Sequence, residues 1–141
     1  MLIQLAVWKD PLADASWLDC SSDDALWYLT PSLGPSSTLV LHHVTQWLNV
    51  SAGLVCTYDI EALSAMFGLT PSTFMHTMKR LEAFGCARRI IDGDERQRWE
   101  VRTVMPPLSR RFARRIPLTL LETCPYLGFV LQEGDTLDHT R

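Results

Sequence analysis

Ser72, Thr73, His76, Thr77 and Arg80 recur at spacings of three and four within GLTPSTFMHTMKRLEAFGCARR, Gly68 to Arg89. On a helix this spacing gathers side chains on one face. Phe74, Met78 and Leu81, at i, i+4 and i+7, mark the opposite, core-facing stripe. Hydroxyls, an imidazole and a guanidinium on one polar face suit hydrogen bonding to base edges and phosphates. A helix of this kind fits a major groove, its early residues nearest the bases. Arg80 suits a guanine edge or a phosphate, and Lys79 on the flank suits a phosphate.

The charge distribution bears on that chemistry. The chain of 141 residues has a formal net charge of -3, the wrong sign for a polyanion. The charges are segregated, however. Residues 1–78 hold Lys9 alone against seven acids. Residues 79–115 hold eleven Lys and Arg against five acids, and residues 116–141 hold Arg141 against four. A chain divided in this way can present one basic face and keep the acidic remainder away from the ligand.

Local signals place the elements around the polar face. Residues 1–22 read as a short extended piece plus a loop. Ser22-Asp23-Asp24 caps a helix, DALWYLTPSL, ending near Gly34-Pro35. Ser36-Ser37 caps a longer helix to about Asn49, with Leu39, Val40, Val44, Trp47 and Leu48 at helical spacing. Val55 to Tyr58 is a strand candidate. Asp59 caps IEALSAMFG, and Gly68 stops it. Thr70 is the next N-cap, Pro71 takes the first helical position, and Gly85 ends that helix. CARRIID and RQRWEVRTVM alternate around DGDE, which predicts a hairpin. Its alternation puts Arg98, Glu100 and Arg102 on one face and Trp99, Val101 and Thr103 on the other. LSRRFARRIP predicts a short basic amphipathic helix carrying Arg110, Arg111, Arg114 and Arg115, with Leu108, Phe112 and Ile116 as its apolar stripe. Leu118 to Leu131 is a last apolar segment, helical in part.

The order helix, strand, helix, turn, helix, hairpin, and the signature DIEALSAMFGLTPSTFMHTMKRLEAFGCARRI, resemble the winged helix-turn-helix family over residues 36–105. The tail MPPLSRRFARRIP is similar to that of small actinobacterial winged-helix proteins of unassigned role. The resemblance implies a mainly α chain with a small β-hairpin (α+β): a winged helix-turn-helix with extra N- and C-terminal helices. It divides the chain into an N-terminal extension with a short helix (1–35), the winged domain (36–105), and a basic helix with a C-terminal apolar segment (106–141). It also implies that Arg88, Arg89, Arg98 and Arg102 on the hairpin strands hold phosphates together with Lys79. The family often places Arg or Lys at the hairpin tip. Here the tip is Asp92-Gly93-Asp94-Glu95, whose carboxylates repel phosphates.

The expected function is a sequence-specific double-stranded DNA-binding protein, a small cytoplasmic transcriptional regulator. The apolar ends 1–8 and 116–131 are the candidate homodimer interface, since two-fold symmetry lets a modest helix read a longer site. The alternative is an interaction module that grips an acidic protein partner and does not bind DNA; the acidic tip and negative ends favour it. The four cysteines, at 20, 56, 86 and 124, form no CxxC pair, and adjacent His42 and His43 diverge by about 100° on a helix. No metal or cofactor is therefore expected. With no nucleotide-binding glycine loop and no nucleophile elbow, neither is an enzyme. No apolar run is long enough for a membrane-spanning helix.

Overall fold

Ile3 and Leu5 are fully buried on a strand, β1 (Leu2–Val7), whose alternation drives one face into the core. The computed structural model describes residues 1–13, 17–51, 54–90, 96–106, 112 and 114–123. After β1 come β2 (Leu18–Asp19), α1 (Asp23–Leu33), α2 (Pro35–Val50), β3 (Cys56–Asp59), α3 (Ile60–Met66), α4 (Pro71–Ala83), β4 (Ala87–Ile90), β5 (Gln97–Val101), β6 (Val104–Met105) and α5 (Leu118–Thr123). Four strands form a mixed sheet in the order β3-β1-β5-β4, and β2 pairs with β6 in a separate ribbon. β1 runs antiparallel to β3, with Leu5 opposite Cys56, and parallel to β5, with Leu5 opposite Trp99. β4 and β5 are antiparallel, with Arg89 opposite Trp99.

This sheet corrects the expected architecture. The mainly α winged helix-turn-helix, with a small hairpin as its β structure and extra terminal helices, is not what the chain forms. The fold is α+β, and the described residues are about half helical and 22% strand. The N-terminal piece is an inner strand between β3 and β5. Local periodicity does not report this, because a parallel pair joins residues from opposite ends of the chain. Within the candidate dimer segment 1–8, Ile3, Leu5 and Ala6 are buried in the chain's own core, while Met1 and Leu2 are exposed.

The helices follow local chemistry. Ser22 caps α1 by accepting from the Ala25 N–H, with Asp23 and Asp24 in the first turn. Gly34, at φ +82°, closes α1 through its N–H to the Thr30 carbonyl and is also the N-cap of α2. That left-handed conformation lets one residue join two helices. Pro35 therefore starts α2, rather than the expected Ser36-Ser37 cap, and Ser37 is buried. Asp59 is the N-cap of α3 without a side-chain cap bond; its carboxylate lies 3.6 Å from the chain's amino terminus. Thr70 caps α4 by accepting from the Thr73 N–H at 3.2 Å, and Pro71 follows at the first helical position. One buried cluster joins Ile3 and Leu5 with Leu33, Leu48, Phe74 and Trp99. Among the described residues no helix is long and apolar enough to cross a membrane.

Candidate nucleic-acid interface

Phe74, Met78 and Leu81 anchor α4 in the core with almost no exposure. Ser72, Thr73, His76 and Lys79 are left facing solvent. Thr73 accepts a hydrogen bond from the Thr70 hydroxyl at 2.9 Å, which steadies its side chain. Ser72, His76 and Lys79 have no side-chain hydrogen bond or ion pair among the described residues. The first turn of α4 carries no carboxylate, so nothing there repels an anion approaching the helix N-terminus.

Thr77 is not on this strip. It is buried, and its hydroxyl donates to the Thr73 carbonyl at 2.9 Å. A threonine at the boundary of a polar face satisfies itself against the preceding turn. Arg80 is only partly available. Its Nε donates to the Leu33 carbonyl at 2.8 Å and its Nη2 to the Ser32 carbonyl at 2.7 Å. It thus fastens α4 to the last turn of α1, whose carbonyls have no partners within their own helix.

Arg88 and Arg98 share the sheet face of Glu100, away from buried Trp99, and Arg88, Arg98 and Arg102 all meet acids, whereas Arg89, opposite Trp99, lies on the helix side. Arg88 converges on a single oxygen of Glu100, Oε1, with Nε and Nη2 both at 2.7 Å. Arg98 reaches the other oxygen of Glu100 at 3.9 Å. Arg102 donates to Asp10 at 2.9 Å and to the Gly85 carbonyl at 2.9 Å. The guanidinium groups of Arg88 and Arg102 also lie over the Trp8 ring, 4.5 and 3.8 Å from its centroid. Sequence reading missed Trp8 and Asp10, which no local pattern links to the hairpin. Of the proposed phosphate ligands, Arg88, Arg98 and Arg102 are therefore near carboxylates. Arg89 is exposed, and among the described residues its backbone N–H donates to Glu82 at 3.2 Å.

The basic segment supplies cations in a different place. Phe112 packs edge-on against Phe84 at the end of α4, with ring centroids 5.2 Å apart. This brings the Arg115 guanidinium to 5.4 Å from the Phe84 ring centroid, and that of Arg80 stands 5.3 Å from the same centroid. Neither guanidinium has an ion pair among the described residues. Arg114 is exposed beside them. Arg110, Arg111 and the tip Asp92-Gly93-Asp94-Glu95 lie outside the described residues, as does the segment from 124 onward. No family model, curated protein or solved structure matches this chain.

Other candidate chemistry is muted. Burial pushes the Cys86 thiol up to about 12 and the Cys20 thiol well above its usual range. Both stay protonated and unreactive at neutral pH. His42 is half-buried, with Nδ1 3.2 Å from the Cys20 carbonyl, while His43 points to solvent.

The Asp10–Arg102 contact carries a pH prediction. The Arg102 hydrogen bond, with help from the Leu12 N–H, holds the Asp10 carboxyl below its ordinary range. A carboxylate depressed in the folded state stabilises it above the unfolded value of about 3.9, and that contribution is lost as pH falls through the folded value. Urea denaturation from neutral to acid pH should show Asp10→Asn less stable than the parent at neutral pH. The gap should close on the acid limb. A constant gap across the range would show that the carboxylate's charge is not the cause.

Proposed function

We propose that this protein binds double-stranded DNA through the exposed strip of α4, as a small transcriptional regulator acting in the cytoplasm. One observation carries the reading. Two arginines from distant segments, Arg80 and Arg115, each contact the Phe84 ring without an ion pair among the described residues, and α4 also presents the exposed Ser72, Thr73, His76 and Lys79. Like charges gathered without neutralisation favour an anionic ligand. Ser72, Thr73 and His76 address base edges from the first turns of α4. Lys79 and Arg115, flanked by Arg89 and Arg114, meet phosphates. Arg80 mainly positions the helix and adds its charge.

The test is a fluorescence anisotropy titration of random-sequence and genomic-fragment duplexes across a salt series. Affinity should fall steeply with salt yet differ between fragments. Lys79→Glu and Arg115→Glu should each weaken binding about tenfold or more, and each should reduce the salt slope by about one phosphate's worth. Unchanged binding in both variants, or no binding to any duplex at low salt, would remove this reading.

A second reading is favoured by the sheet. Because Glu100 and Asp10 already engage Arg88, Arg98 and Arg102, the basic surface left over is small. It suits an acidic protein segment better than a long run of phosphates. That reading requires no measurable affinity for any duplex even at low salt.

A further inference from the structure

Helix α2, PSSTLVLHHVTQWLNV, contains no charged residue in sixteen positions. A helix exposed to water normally carries charge on its outer face, and charge depletion is the mark of an interface core. Among the described residues, the outer face of α2 is left exposed. Leu39, His43, Gln46 and Val50 all face solvent, and Val50 is 86% exposed. Their spacing of four, three and four places them in one line along the helix, the pattern that helices use to pack lengthwise on each other. Beside this line runs a groove of about 430 Å³ between α2 and the end of α3, where Met66 stands 62% exposed.

The chemistry of the line reads the same from either end: apolar, polar, polar, apolar. The pairs Leu39 with Val50 and His43 with Gln46 are both centred between Val44 and Thr45. We infer that α2 packs antiparallel against α2 of a second copy of this chain about a two-fold axis through that point. Leu39 then meets Val50 of the second copy, and His43 can hydrogen-bond to Gln46 of the second copy. A two-fold contact requires such a self-complementary surface. An uncharged surface also sets no like charges against each other across the axis. A charged partner would find nothing on α2 to pair with. This inference goes beyond the DNA reading and does not depend on it.

The experiment is sedimentation equilibrium of the full chain without DNA. The parent should show twice the chain mass, with a dimer that dissociates on dilution. Val50→Glu sets a carboxylate against Leu39 of the second copy and should raise the dissociation constant about a hundredfold or more. Because Val50 is exposed, the fold should survive, and circular dichroism checks this. Adding Leu39→Lys to Val50→Glu places opposite charges together only in the antiparallel register and should restore the dimer. A parent that is monomeric at every concentration, a Val50→Glu variant that stays dimeric, or a double variant that stays monomeric would each overturn the proposal.

Discussion

Replacing Trp99 with Ala is expected to lower the unfolding free energy by about 3–5 kcal/mol. Trp99 is 1% exposed and sits on β5 between Leu5 of β1 and Arg89 of β4. Its ring lies on the sheet face that joins Ile3, Leu5 and Val101 to the buried sides of the helices. Truncation leaves a large void that four-stranded pairing on both sides prevents from collapsing. It also leaves Gln97 without the indole N–H that it accepts at 3.2 Å. A domain of this size has about 5–15 kcal/mol in total, so the variant should sit near the edge of folding. Trp99→Phe keeps an aromatic ring and should lose distinctly less. Urea denaturation measures both. A loss under about 1 kcal/mol in Trp99→Ala would mean that the sheet core does not depend on this ring.

The second large effect separates two neighbours on α4. Arg80→Met should cost about 2–3 kcal/mol, because the Ser32 and Leu33 carbonyls lose charge-assisted partners at 2.7 and 2.8 Å. Lys79→Met, one residue earlier at an exposed position without a hydrogen bond or ion pair among the described residues, should stay within about 0.5 kcal/mol. Arg80→Lys should recover only part of the loss, since a single ammonium does not reproduce the two-pronged geometry of a guanidinium. The comparison distinguishes a residue that positions the helix from one that faces the ligand. Arg80→Met as stable as the parent would show that α1 does not need this clasp.

Much of α4 was legible without a structure. Thr70, Pro71 and Gly85 act on their immediate neighbours, and Phe74, Met78 and Leu81 repeat with the period of the helix, so their burial follows from spacing. The alternation of β5 correctly separates Trp99 and Val101 from Arg98 and Glu100 for the same reason. The limits of such reasoning appear at face boundaries. Thr77 lies on the same side as His76 by spacing, yet turns inward. Leu39 has the right spacing for the core, yet points to solvent, because one helix wheel does not say where its neighbours stand.

Sequence by itself determined what depends on near neighbours: the capped helices, the positive-φ glycines between them, the strand alternation, the basic block and the uncharged α2. Tertiary structure decided what depends on distant ones. β1 enters the centre of the sheet because its apolar face completes a core that β5 and the helices leave open. Asp10 and Trp8 then hold Arg102, and Trp8 also lies under the guanidinium of Arg88, while Phe84 and Phe112 bring Arg115 to α4. Each is a contact between segments far apart in the chain, and such pairings follow from shape and burial in three dimensions, which local periodicity does not encode.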